Sequence, residues 1–94
     1  MTTSNDPKMT PSPDVLTAHL EGEAVLLDME TKRYYRLNDT AAAIWRGLEK
    51  GLTRSELRES LLAEYEVDGD ALDAALDRMM STFAERRLVI QQSP

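Results

Sequence analysis

The chain has 94 residues, 41% of them hydrophobic and 30% charged, with a formal net charge of −6. That length fits a single domain with a thin core, one that buries about 60–65% of the surface its unfolded chain exposes. The acidic balance argues against a nucleic-acid binder, because Lys and Arg are what displace the counterions around phosphate. With no cysteine there is no disulfide, no thiolate zinc site and no cysteine nucleophile, and a single histidine, His19, leaves no paired-histidine metal site. No apolar run approaches the ~20 residues that span a bilayer, and the first residues lack the apolar stretch of a signal peptide. The expectation is a cytoplasmic protein with no cofactor, no metal, no membrane partner and no self-contained catalytic centre.

In chain order, residues 1–13 carry Pro7, Pro11 and Pro13 among small polar residues. Nothing there can bury an apolar face, so a disordered tail is predicted, with the domain over 14–91 and a second tail over 92–94. Three strand-like runs follow: Val15 to Leu20, Ala24 to Met29 and Arg33 to Leu37. They are separated by Glu21-Gly22-Glu23 and Glu30-Thr31-Lys32, turns short enough for antiparallel hairpins and hence a three-stranded meander. In a meander the third strand is an edge unless something covers it.

The hydrophobic period then changes from two to 3.6. Asn38 can cap a helix whose Ala41, Ile44, Trp45 and Leu48 form one apolar stripe, ending at Gly51. Thr53 and Glu56 form a capping box that opens a second helix, with Leu57, Leu61, Leu62 and Tyr65 as its buried face. Residues 67–70 break that helix and cap a third. There Leu72, Ala75, Leu76, Met79 and Phe83 make the stripe, with Met80 on its shoulder. Leu88-Val89-Ile90 reads as a short fourth strand or a plug under the sheet. The predicted class is α+β, winged-helix-like in content: a three-stranded antiparallel sheet followed by three helices.

Charge is segregated along this order. From Glu59 to Asp77 there are seven acids and no Lys or Arg, whereas the third strand and its turn carry Lys32, Arg33 and Arg36. More base follows at Arg46, Lys50, Arg54 and Arg58. Such faces can simply be solvated, or they can flank a groove that orients a partner of mixed charge. The acidic stretch from Val67 to Asp77 lacks the residue order of a calcium loop. His19 reads as a packing or surface residue. Tyr34 and Tyr35 are the more informative pair. Neighbours on a strand face opposite sides, so one joins the core and the other points away. An open strand edge beside a helix is the geometry for β-strand addition, in which main-chain bonds give affinity and pockets give selectivity.

The block Asp28, Thr31, Tyr34, Tyr35, Leu37, Asn38, Thr40, Ala41, Ala42, Ile44 and Trp45 resembles the PqqD-like family. Its pattern is an apolar strand, D-x-x-T-x-x-Y-Y-x-L-N, then T-A-A-x-I-W, then two further helices. The resemblance covers about four-fifths of the chain; the glycine usual before the last apolar run is replaced by Arg86-Arg87. It implies a peptide-recognition element that captures the leader segment of a ribosomally made precursor. The leader pairs with the third strand beside the third helix and is handed to a leader peptidase or other modifying enzyme. The lasso-peptide type is the expected kind. A peptide chaperone for pyrroloquinoline quinone synthesis and a winged-helix DNA-binding regulator remain as alternatives. Carried over by position, Arg33, Tyr34, Tyr35, Arg36 and Leu37 would pair with the leader. Leu72, Asp73, Leu76, Asp77 and Met80 are the candidates on the third helix, while Leu37, Ile44 and Trp45 are expected in the core.

Overall fold

The computed structural model describes residues 8–92; of the tails expected at 1–13 and 92–94, residues 1–7 and 93–94 lie outside the described residues, and residue 92 ends a strand. The element order is β1 (Lys8–Pro11), β2 (Val15–Leu20), β3 (Glu23–Asp28), β4 (Arg33–Leu37), α1 (Asp39–Glu49), α2 (Arg54–Glu64), α3 (Gly69–Glu85) and β5 (Val89–Gln92). β2, β3 and β4 form the antiparallel meander, in that order across the sheet. The architecture is α+β, with these three strands followed by three helices.

β3 is the central strand, and its alternation sets the inside of the sheet: Ala24, Leu26 and Asp28 are buried and the residues between them are not. The buried Asp28 is accounted for by its turn. Its Oδ1 accepts the backbone N–H of Glu30 at 2.9 Å and of Thr31 at 3.4 Å, closing the β3–β4 loop. Lys32, with φ 63°, completes that loop in the left-handed region.

Segment 8–11, expected within a disordered tail, is a strand instead. β1 pairs antiparallel with β5, from Lys8↔Gln92 to Pro11↔Val89, and makes a separate two-stranded sheet. Met9 is its buried anchor. Pro11 is tolerated because it ends the strand, where a missing N–H costs little. The last apolar run is thus a strand, but its partner is the N-terminal segment and not the meander.

α1 is the hub of the core. Ala41, Ile44, Trp45 and Leu48 are buried as expected, and so are Ala42, Ala43 and Gly47. Small residues let the neighbouring elements approach closely. A Cβ on Gly47 would collide with the Leu57 side chain of α2. Trp45 is fully buried, its Nε1–H donates to Thr17 Oγ1 of β2 at 3.0 Å, and its ring meets Phe83 of α3 edge-on with centroids 5.2 Å apart. One side chain therefore ties the sheet to α3.

The caps follow the sequence closely. Asn38 accepts from the Ala41 N–H, and Thr53 and Glu56 form the reciprocal box. On α2, Leu57 and Leu61 are buried, but Tyr65 is 39% exposed. The helix ends at Glu64 and Tyr65 is extended, which takes it off the apolar stripe.

α3 leaves through a Schellman motif: the N–H of Leu88 donates to Phe83 O at 2.9 Å and that of Arg87 to Ala84 O at 3.1 Å. Arg87 holds φ at 57°, a conformation that favours glycine, so the usual exit is made without its usual residue. Arg87→Gly is expected to stabilise the domain by about 1 kcal/mol, a rise in Tm of roughly 4–8 °C at this size. Thermal unfolding followed by circular dichroism reads it. A Tm at or below that of the parent would mean that Arg87 sits there without strain.

Candidate functional site

The sheet has an open edge along β4, and which backbone groups it offers follows from the register. The two-residue loop Glu21-Gly22 joins β2 to β3 with Leu20 opposite Glu23. Two-residue loops close on a hydrogen-bonded pair, and bonded and non-bonded pairs then alternate along the ladder. In β3 this turns the backbone groups of Glu23, Val25 and Leu27 toward β2, and those of Ala24, Leu26 and Asp28 toward β4. Opposite the latter stand Leu37, Tyr35 and Arg33. The N–H and C=O groups of Tyr34 and Arg36 consequently point outward, toward no strand of the sheet.

Side chains alternate in the opposite sense. Tyr34 is 73% exposed and lies on the outer face, while Tyr35 and Leu37 turn inward and are half-buried and buried. Beside them α3 presents Met79, Thr82, Phe83 and Arg86, an i, i+3, i+4, i+7 stripe. Between strand and helix lies a groove of about 360 Å³, floored by Ala41, Phe83 and Leu88 and bordered by residues 34–37. The Arg86 guanidinium stands 5.0 Å above the centre of the Tyr35 ring. The edge and the groove together form a slot for an extended chain.

Of the residues expected at this site, Tyr34, Tyr35, Arg36 and Leu37 border the groove, and Arg33 starts the strand just beyond it. The five expected on α3 do not line it. Leu72, Leu76 and Met80 are buried in the core. Asp73 and Asp77 lie on the opposite flank, facing α2. Arg54 Nη2 stands 2.8 Å from Asp77 Oδ1, and Arg58 Nε donates to Asp73 Oδ1 at 2.7 Å. Arg54 also donates to the Asp73 carbonyl at 3.2 Å. The hydrogen bond from Arg58 holds the Asp73 carboxyl below the usual carboxylate range, against a smaller opposing effect of desolvation. These partly exposed pairs bridge α2 and α3 and add little stability.

Met79 and Met80 thus exchange the parts assigned to them: Met80 packs inside and Met79 borders the groove. Thr82, Phe83 and Arg86 were not singled out as binding residues. A signal for them was present. Arg54 and Arg58 repeat at i, i+4 on α2, as Asp73 and Asp77 do on α3. Matching the two ladders assigns one flank of α3 to α2 and leaves the other for the sheet.

Among the described residues no group of three or more His, Cys, Asp or Glu side chains could hold a metal ion. No helix among them is long and apolar enough to cross a membrane.

No curated protein matches the chain. Among solved structures, TbiB1 in complex with the TbiA(beta) leader peptide is similar over 90% of this chain and 99% of that chain, with 29% identity and a TM-score of 0.83. A lasso peptide synthetase B1 complexed with the leader peptide is similar over 88% of this chain and 98% of that one, with 26% identity and a TM-score of 0.78. The model for coenzyme PQQ synthesis protein D matches residues 23–89, from the central strand through α3 to the start of β5, and the chain belongs to this PqqD family.

Proposed function

We propose that this protein is a binding module without catalysis that captures the leader segment of a ribosomally made precursor peptide. The leader adds as a fourth strand along β4 and is held beside α3, then passed to a leader peptidase or other modifying enzyme, as in lasso-peptide assembly. The observation that carries this reading is the open backbone of Tyr34 and Arg36 directly above an apolar-floored groove. Main-chain bonds there would each contribute about 0.5–1.5 kcal/mol net, too little to cover the cost of association alone. Apolar leader side chains seated between Leu37, Met79 and Phe83 supply the rest. The two similar structures, both solved with leader peptides, support the same use of the fold.

The family's description, coenzyme PQQ synthesis protein D, motivates a second reading, in which the same slot serves a peptide chaperone for pyrroloquinoline quinone synthesis. The two readings share the slot and differ in the peptide that fills it. A winged-helix DNA regulator is disfavoured, because Arg54 and Arg58 are already engaged by the acids of α3.

A fluorescence-polarisation titration decides the matter. Saturable binding of the cognate lasso-type leader, and none of a pyrroloquinoline quinone precursor, is expected. Folded protein that binds no leader into the high micromolar range would overturn the proposal.

A further inference from the structure

The groove differs in charge from the molecule that contains it. The chain has 17 acidic and 11 basic side chains, yet two arginines, Arg36 and Arg86, and no carboxylate border the groove. Two of the acids of α3, Asp73 and Asp77, are directed elsewhere, bound to the arginines of α2. Of the two, Arg36 borders the groove from the strand with its side chain on the outer face of the sheet, so Arg86 supplies the groove's positive charge. Arg36 donates through Nε and Nη2 to Glu23 Oε1, at 3.2 and 2.8 Å, across the outer face of the sheet. Among the described residues Arg86 has no carboxylate within ion-pair distance. Its guanidinium lies over the Tyr35 ring, a cation–π approach that consumes none of its N–H donors.

The register says what would meet it. A strand added at β4 bonds through Tyr34 and Arg36, so its residue opposite Tyr35 is a non-bonded partner whose side chain points into the groove. That side chain emerges beside the Tyr35 ring and under Arg86. Resting on the leader-binding reading above, we propose that Arg86 selects an Asp or Glu at this one position of the captured strand. Tyr35 acts as the positioning residue that holds the guanidinium. A planar fork with five donors is matched to a carboxylate, and a Lys or Arg in the same place would face an unneutralised cation. The recognised strand is therefore acidic at the residue opposite Tyr35, within a chain whose own net charge is negative.

The test uses a displayed library of random linear peptides selected on the full chain, followed by synthetic, C-terminally amidated versions of the enriched sequences. Fusion and amidation remove the free chain end, so a side-chain carboxylate is the sole acid read. Enriched peptides are expected to share an internal Asp or Glu. Replacing it with its amide should weaken binding about tenfold to the parent and hardly at all to Arg86→Gln. Arg86→Glu should reject the acidic peptide and regain affinity for its Lys counterpart. Circular dichroism of both variants controls for the fold.

Enriched peptides without a shared acid, or an amide penalty as large in Arg86→Gln as in the parent, would overturn the assignment. Tyr34→Pro separates the two proposals. If it abolishes binding while the acid shows no coupling to Arg86, strand addition stands and this inference falls. If the peptides bind Tyr34→Pro normally, or if nothing is enriched, the strand-addition reading falls and takes this one with it.

Discussion

Tyr34→Pro is expected to weaken leader binding at least tenfold, about 1.4 kcal/mol, while the domain stays folded. Proline removes one of the two outward N–H groups of β4 and adds a ring where the guest strand must approach. The residue suits the experiment because it is 73% exposed and its backbone faces away from β3. Tyr34→Ala keeps the N–H and tests the side chain alone, so its loss should be smaller. Tyr35→Pro is the contrasting control. By the register it would break a rung to Leu26, and it should lower the melting temperature whether or not a leader is present. Fluorescence polarisation with a parallel melt separates these outcomes. A Tyr34→Pro protein that melts and binds like the parent would show that the leader does not pair at this edge.

That contrast also marks what the sequence made legible. Two adjacent tyrosines on a strand had to face opposite ways, and the core place expected for Leu37 already puts Tyr35 on the inward face by alternation, as the structure has it. The local signals were strong: Asn38, Thr53 and Glu56 cap the helices they were expected to cap, because a capping bond spans three residues and needs no tertiary information. Non-local pairing was invisible. β1 holds one buried apolar residue, Met9, and finds its partner at the other end of the chain, so neither period nor propensity announces it. The flank of α3 failed for a related reason. Helical periodicity locates the buried stripe at Leu72, Leu76 and Phe83, yet the two sides of a stripe look alike until the neighbours are known. The acids Asp73 and Asp77 were read as groove residues facing the basic third strand, but they balance Arg54 and Arg58 of α2, and Met79, Thr82 and Arg86 border the groove instead. Asp28 of the family pattern now has a plain structural cause: its carboxylate closes the β3–β4 loop through the backbone N–H groups of Glu30 and Thr31 and thereby delivers the edge strand in register.

Trp45→Ala is expected to cost about 3–5 kcal/mol, a large part of the ~5–15 kcal/mol that stabilises a domain. Most of this is the cavity left by a fully buried indole. The remainder is the loss of the edge-on contact with Phe83 and of the bond to Thr17 Oγ1. Thr17→Val isolates the last term. It leaves the indole in place with its N–H unpartnered and should cost about 1–3 kcal/mol. Urea titration followed by circular dichroism gives both values. Replacing Trp45 also reaches the proposed site, because Phe83 carries the Trp45 contact on one side and borders the groove on the other. Trp45→Phe is therefore the informative middle case: it retains an aromatic ring against Phe83, and any folded fraction should bind leader more weakly as Phe83 settles into the vacated space. A urea midpoint for Trp45→Ala close to that of the parent would mean that the sheet and α3 are held together by something other than this residue. The dependence of the groove on Trp45 would then have to be abandoned.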